Sequence, residues 1–220
     1  MEREKVLFAW SGGKDSTMAL HELTREGRYE VAALLTTITE DYDRVSMHGV
    51  RKVLLERQAS SLNIPLEKVL ITRESSDRDY ELKMSEALGR YRDASAVCFG
   101  DIFLEDLRKY RETNLGKAGM KGLFPIWKKD TRLLARKFTE LGFRAIITCV
   151  DTEVLDGSFA GRGYDEALVD ALPDGVDPCG ENGEFHTFVY DGPIFQNPVA
   201  FTPGETVLRE GRFCFCDLKI

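Results

Sequence analysis

The sequence predicts an α/β fold in which a doubly wound parallel sheet is followed by a smaller α+β C-terminal domain. Apolar runs alternate with helix-like segments up to Val150, which is the pattern of repeated strand–helix–strand units. Several of these runs are apolar without alternation, as expected for strands buried on both faces of a parallel sheet. From Asp151 onward glycines and prolines crowd together, which indicates a second, loop-rich and partly β region.

The elements of the first region follow in a regular order. The first strand is predicted by "VLFAW", and a helix, "TMALHELTREG", separates it from the second strand, "YEVAALLTTI". A helix over "VRKVLLERQASSL" precedes a third strand, "LEKVLIT", and a helix over 77–91 precedes a fourth, "SAVCFG". The segment "IFLEDLRKYRE" is helical, and "KGLFPIW" is a short strand at an edge or a junction because it contains a proline.

Four further elements are predicted around and beyond the start of the glycine- and proline-rich region. Asp130 caps a helix that ends near Leu141 and Gly142, and "FRAIITCV" forms one more buried strand. A short helix is expected near 164–172, and "FHTFVY" alternates like a strand. We place the domain boundary near 121–127.

Composition limits the classes of function. The chain has 220 residues, 43% of them hydrophobic, which suffices for a real core in one large or two modest domains. Its formal net charge of −7 argues against nucleic acid as the main partner. With no apolar run long enough to span a bilayer, we expect a soluble, cytoplasmic protein without a membrane partner.

The five cysteines do not suggest a disulfide framework, because their number is odd and their spacing irregular. Cys214 and Cys216 alternate with phenylalanines in "RFCFCDL", as on the faces of a strand. We favour structural thiols over a metal or redox pair, since two further ligands at zinc-like spacing are missing.

The stretch 11–16 has the features of a phosphate-binding loop. Gly12 and Gly13 allow a sharp turn that brings backbone N–H groups close to an anion, and Ser11 and Ser16 add hydroxyl donors. Lys14 adds a positive charge, and the following helix directs its positive dipole end at the loop. Asp15 is unfavourable beside phosphate unless it binds a divalent cation or caps the helix.

Polar residues also follow the fourth strand. Gly100 and Asp101 lie at its carboxyl end, where doubly wound sheets bind their ligands. Asp101 therefore either binds magnesium or substrate, or caps the next helix; we weigh the two equally. Arg111 lies in that helix, which begins beside this edge of the sheet, so a functional role for Arg111 is plausible. The ordinary alternative is a solvent-exposed helix face on which Arg111 forms salt bridges.

A third cluster lies in "DPCGENGEFHTFVYDGPIF". Glu181, Glu184 and His186 surround Asn182 and Gly183, which favour a turn with positive φ. This acidic turn could ligate a cation or contact an amine, or it could be a hairpin with solvated charges, which composition alone favours.

Neither G-x-x-x-x-G-K-[ST] nor G-x-G-x-x-G occurs in the chain. The loop "SGGKDS" instead resembles the PP-loop of the ATP pyrophosphatases. With "GD" before the Arg-containing helix, "FPIW", "GFRAIITCV", the "GR" at 161–162 and "CGENGEFHTFVYDGPIF", the chain resembles the diphthine ammonia ligase family.

The resemblance implies a Rossmann-like HUP/PP-loop fold, with an ATP-binding domain over 1–122 and an acceptor-substrate domain over 123–220. It implies an enzyme that uses ATP, Mg²⁺ and ammonium to adenylylate a carboxylate, release pyrophosphate and form an amide. The acceptor would lie on a protein like elongation factor 2 or on a small molecule.

The resemblance also implies roles for individual residues. The catalytic group would comprise Lys14, Asp15, Asp101, Arg111 and Glu184. ATP would bind to Ser11, Gly12, Gly13, Lys14, Asp15, Ser16 and Gly100, and Mg²⁺ to Asp15 and Asp101. The acceptor would bind to His48, Arg162, Gly180, Glu181, Asn182, Gly183, Glu184, His186 and Thr187.

Two residues depart from the family pattern E-G-G-E-[YF]-E-T: Asn182 replaces a glycine and His186 replaces a glutamate. The change of charge at position 186 puts diphthine in doubt as the acceptor. Two alternatives stay open at this point, a PP-loop enzyme that modifies tRNA and a non-catalytic nucleotide-binding module. The ammonia source, and whether the protein forms a homodimer, are also open.

Overall fold

The computed structural model describes residues 3–46 and 48–220. The first part of the chain is α/β, with these bounds: β1 Glu4–Ala9, α1 Lys14–Arg25, β2 Tyr29–Thr39, β3 Arg44–Val45, α2 Lys52–Leu62, β4 Leu66–Ile71, α3 Asp77–Gly89, β5 Ala96–Cys98, α4 Glu105–Lys117 and β6 Lys121–Leu123. The second part is mainly β, with these bounds: α5 Thr131–Glu140, β7 Arg144–Asp151, β8 Gly163–Tyr164, α6 Glu166–Asp170, β9 Phe185–Asp191, β10 Thr202–Arg209 and β11 Phe213–Lys219.

The first sheet confirms the predicted doubly wound topology. Strand β1 pairs in parallel with β2 on one side and with β5 on the other, while β4 extends the sheet beyond β2 and β6 beyond β5. The parallel order is therefore β4-β2-β1-β5-β6, and β3 adds a short antiparallel pairing to β2. The strand order reverses between β1 and β5, so a crevice opens there at the carboxyl ends of these strands.

The second sheet is antiparallel and is built around β7. This strand pairs with β9 along one edge and with β8 and β11 along the other, and β10 pairs with β11. The smaller α+β region expected from the sequence is thus present. Within the described residues, no helix combines the length and the apolarity needed to cross a membrane.

Side chains cap α3, α5 and α6, and the start of α4 corrects one expectation. Asp130 accepts a hydrogen bond from the Leu133 N–H at 2.9 Å and begins α5 as predicted. Helix α3 begins at Asp77 as predicted, and Ser76 caps it in a reciprocal pair with Asp79. The interpretation of Asp101 as a helix cap is wrong, because α4 begins later, with Leu104 at its N-cap position.

The strand predicted over "KGLFPIW" is shorter than expected. Strand β6 ends at Leu123, before Pro125, whose nitrogen has no hydrogen to donate to a neighbouring strand. Similarly, the short helix expected near 164–172 is limited to α6, which Asp165 caps through the Leu168 N–H.

The two faces of the parallel sheet have different surroundings. One face packs against α3 and α4 around Leu7, Val97 and Phe99. The other face belongs to a larger core that continues without interruption into the second sheet, where Ile147, Phe185 and Phe188 are buried. Because the two regions share this core, the division at residues 122 and 123 stays a prediction.

A buried amide, that of Gln58 in α2, connects the two sheets. Its Oε1 accepts from Trp10 Nε1 at 2.9 Å, and its Nε2 donates to the carbonyls of Gly12 at 3.0 Å and Val189 at 2.5 Å. Val189 in β9 also donates its N–H to the Gly12 carbonyl at 2.9 Å. Every polar atom of this fully buried side chain is therefore used.

A second connection is ionic. Asp217 in β11 accepts hydrogen bonds from both Nε (3.0 Å) and an Nη (2.6 Å) of Arg51, and from Arg44 at 2.9 Å. Arg44 also donates to the Gly49 carbonyl at 2.6 Å. These bonds hold the 44–51 turn, which carries His48, against the second sheet. They lower the pKa of Asp217 to about 2, mainly through Arg51.

We predict that Gln58→Met lowers the free energy of unfolding by about 2–4 kcal/mol. Methionine fits the volume, but Trp10 Nε1 and the Val189 carbonyl lose their partner inside the core. Urea unfolding measures the difference, and Gln196→Met, at an exposed position, is the matched control with little expected effect. Equal stability of both variants would contradict the role assigned to Gln58.

We predict a pH-dependent loss of stability in Asp217→Asn. A carboxylate whose folded pKa is depressed stabilises the fold above its unfolded pKa of about 4, and this contribution disappears as the pH falls towards 2. The variant should therefore be about 1–2 kcal/mol less stable at pH 7 and equal to the unsubstituted protein near pH 2. Urea titrations at both pH values test this, with the exposed Asp93→Asn as control. A pH-independent deficit would refute the ionic origin.

Candidate functional site

A cavity of about 900 Å³ opens at the reversal of strand order. Its lining includes four segments that carry predicted site residues: the loop after β1, the residues after β5, the turn that carries His48, and the start of β9 with the turn before it. The predicted site residues that line it are Ser11, Gly13, Lys14, Asp15, Ser16, His48, Gly100, Asp101, Arg111, Gly180, Glu181, Gly183, His186 and Thr187. Both sheets thus contribute to one site.

The loop after β1 has the geometry of an anion cradle. Gly12 adopts a positive φ of 79°, and Gly13 is the N-cap of α1, so the first N–H groups of that helix face the cavity end of the loop. The Ser11 hydroxyl accepts from the Gly13 N–H at 3.2 Å and lies 3.1 Å from the Ser16 hydroxyl. Hydroxyls and helix N–H groups are therefore concentrated within one turn.

Gly100 permits the close approach of β5 to this loop. A Cβ atom at Gly100 would lie 2.7 Å from the backbone nitrogen of Ser16 and 2.8 Å from the carbonyl carbon of Asp15. Any larger residue would push the end of β5 away from the helix N-terminus. The glycine therefore brings Asp101 to the same edge of the cavity as Asp15.

Lys14 extends from the loop towards the second sheet. Its ammonium donates to Asp15 at 2.8 Å and to the Cys179 carbonyl, and lies 5.1 Å and 5.7 Å from the ring centres of Phe185 and Tyr164. Burial is the largest single effect and lowers its pKa, but Asp15, Cys179 and Asp177 together outweigh burial and the pKa is raised. Lys14 is thus a fixed cation shared by the two halves of the chain.

Three carboxylates, those of Asp15, Asp101 and Glu181, line the cavity near the loop. One oxygen of Glu181 accepts from the N–H groups of Ile102 (2.7 Å) and Phe103 (3.3 Å), directly after Asp101. Burial raises the pKa of Glu181 to about 7, and the charges of Asp15 and Asp101 act in the same direction. Three acids from two halves of the chain therefore share one region of negative potential.

Arg111 partly balances this charge. Its Nε lies 2.7 Å from one oxygen of Asp101, an Nη donates to the other oxygen at 3.1 Å, and the guanidinium lies 4.4 Å from the centre of the Phe99 ring. The ion pair with Arg111 therefore holds Asp101 in position, and Asp101 does not cap α4.

Two histidines form the wall next to the loop. The rings of His48 and His186 are 4.4 Å apart at 34°, and Cε1 of His48 lies 3.2 Å from where a Gly13 Cβ would stand. Burial lowers the pKa of His48 to about 4, and lowers that of His186 well below its usual value with help from His48 and Lys14. Next to them, Thr187 accepts the Lys14 N–H at 3.0 Å.

Four predicted site residues do not line the cavity. Gly12 directs its carbonyl at Gln58 and Val189, and Arg162 stacks on Phe159 at 4.6 Å. Glu184 is buried and accepts from the Asp177 N–H at 3.0 Å and from Asn182 Nδ2 at 2.9 Å. Glu184 and Asn182 therefore hold the shape of the turn that presents Glu181.

Some residues that shape the site were not selected from local patterns. Gln58, Tyr164 and the Cys179 carbonyl fix the loop and Lys14, but no pattern near them in the sequence connects them with the loop. The cavity also extends between α3 and α4, along a wall that the sequence analysis did not anticipate. This wall comprises Tyr80, Met84, Leu88, Leu107, Tyr110 and Leu115.

All five cysteines are free thiols, and Cys214 and Cys216 lie in β11. Among the described residues, no group of three or more histidine, cysteine or acidic side chains is placed to hold a metal ion unaided.

Comparisons with known proteins match both halves of the chain. A model of the diphthamide synthase N-terminal domain matches residues 4–122, and one of the diphthamide synthase C-terminal domain matches residues 130–219. A diphthine–ammonia ligase of Schizosaccharomyces pombe is 27% identical over 98% of this chain, which spans 39% of that protein's length. The Rattus norvegicus and Homo sapiens diphthine–ammonia ligases are 25% and 23% identical, and the chain spans 85% of each.

The two matched regions cover the phosphate-binding loop, the acidic edge and the turn before β9, so the whole cavity lies within them. The chain therefore belongs to the diphthamide synthase family.

Proposed function

We propose that this protein is an ATP-dependent ligase that joins ammonia to a carboxylate, of the diphthine–ammonia ligase type. In the proposed reaction the carboxylate attacks the α-phosphorus of ATP, pyrophosphate leaves, and ammonia then displaces AMP to give the amide. The observation that carries the proposal is the cradle at 11–16, placed at the reversal of strand order and closed by β9 of the second half. The relatives named as ligases support the same reaction class.

The loop residues suit the binding of the departing pyrophosphate. The hydroxyls of Ser11 and Ser16 and the Lys14 ammonium are positioned by hydrogen bonds within the protein, and the helical backbone of α1 fixes the direction of its first N–H groups. Donors that need no reorganisation stabilise developing charge most effectively. Their role is to bind and orient the phosphates and to stabilise the charge that forms when the α–β bridge breaks.

The acidic edge fits Mg²⁺. Carboxylates are the oxygen ligands that Mg²⁺ prefers, and this ion is usually held by one or two of them together with substrate phosphates and water. Asp15 and Asp101 are the proposed ligands, and a cation there would offset the two negative charges that, after burial, help to raise the pKa of nearby Glu181. When bound, Mg²⁺ would offset the charge of the phosphates.

The apolar wall between α3 and α4 provides space for a second substrate. It continues from the acidic edge, so a carboxylate held there could face the phosphates in the cradle. We propose that the acceptor occupies this part of the cavity and that Arg111, fixed by Asp101, contacts its acid group. Whether the acceptor is a protein or a small acid is the next question for experiment.

We predict that the protein, incubated with ATP, Mg²⁺ and ammonium, releases AMP and pyrophosphate in amounts that rise when cell extract supplies the acceptor. Chromatographic analysis of nucleotide products distinguishes this from ADP and phosphate. Release of ADP would contradict α-phosphate chemistry. ATP binding without turnover under every condition would favour a nucleotide-binding module instead.

The matched variants are Lys14→Ala and Lys109→Ala. The first removes a buried, charge-assisted contact and should slow AMP release at least about 30-fold, equivalent to about 2 kcal/mol. The second changes an exposed lysine outside the cavity and should have no effect. Circular dichroism of Lys14→Ala separates loss of activity from loss of folding.

A further inference from the structure

His48 and His186 belong to different halves of the chain, yet their rings lie against each other as a tilted pair. His48 lies in the turn after β3, which Arg44 and Arg51 hold against Asp217, and His186 lies in β9. Both rings line the cavity beside Ser11 and Gly13. An anion held by the loop would therefore lie next to both imidazoles.

Two features of the pair indicate a ligand. Nδ1 of His48 is shielded from solvent and has no hydrogen-bond partner within 3–46 and 48–220. A buried polar atom left without a partner is costly unless something else satisfies it. The second feature is position, because His186 lines the cavity next to Thr187, whose hydroxyl accepts the Lys14 N–H of the loop.

The charges around the pair define its state without ligand. The charged group that acts on both rings is the Lys14 ammonium of α1, while β9 contributes the backbone of Thr187 and the turn contributes no acid to the pair. Burial and Lys14 together lower both pKa values, so the rings are neutral at pH 7 in the free protein. Polyphosphate would reverse this, because nearby negative charge favours imidazolium.

We propose that His48 and His186 complete the polyphosphate site as a single proton-accepting pair, which takes one proton from solvent when a polyphosphate binds to the loop. The pair takes one proton rather than two, because two imidazolium rings at this separation would repel each other. The shared proton then faces the phosphate and offsets part of its charge. This inference rests on the proposed function, since it assigns the polyphosphate to the same loop.

The number of histidines makes the test direct. The chain has three, and His21 packs edge-on against Phe143 at 5.6 Å, outside the cavity. Imidazole ¹H–¹⁵N spectra recorded from about pH 3.5 to 8, assigned with His21→Gln, His48→Gln and His186→Gln, follow each ring separately. Inorganic pyrophosphate is the probe, and its binding is measured by calorimetry on the same samples.

On saturation with pyrophosphate, the apparent pKa of the pair should rise by about three units, to near 7, while His21 keeps its titration curve. In His186→Gln, pyrophosphate binding should weaken about 10-fold at pH 6 relative to the unsubstituted protein, and clearly less at pH 8. Pyrophosphate that binds without moving either titration would overturn the pair's role and leave the proposed function standing. Failure of pyrophosphate to bind at all would overturn both.

Discussion

The buried amide of Gln58 is the interaction on which the closed cavity depends. It accepts from Trp10 at the end of β1 and donates to Gly12 in the loop and to Val189 in β9. A single side chain thus fixes the phosphate-binding loop relative to the strand that closes it. Because an unsatisfied group at this depth would be costly, the amide favours one arrangement of the two sheets.

With the two sheets in this arrangement, the functional side chains lie on two sides of the cavity. Lys14 and the histidine pair lie on the side of the second sheet, whereas Asp101 and Arg111 lie at the end of the parallel sheet. Glu181 connects the two sides. It belongs to the turn before β9, but its carboxylate accepts a hydrogen bond from the Ile102 N–H, directly after Asp101. The site is therefore complete only when both halves of the chain are folded together.

Local signals in the sequence were sufficient for the parallel sheet, the loop and the cap of α5, because each depends on neighbouring residues. The sequence could not show that Asp101 pairs with Arg111 rather than capping α4, since both interpretations use the same residues. Gln58 and the His48–His186 pair were beyond local reasoning, because their partners are distant in the chain. Glu184 looked catalytic by pattern, yet its carboxylate supports the turn.

The proposed binding mode of ATP can be tested by a crystal structure with Mg²⁺ and an ATP analogue that cannot be cleaved between the α- and β-phosphates. We expect the β- and γ-phosphates on the N–H groups of the 11–16 loop, beside His48 and His186, with the α-phosphate facing Asp101 and the wall between α3 and α4. A triphosphate bound away from this loop, or an α-phosphate turned away from that wall, would contradict it.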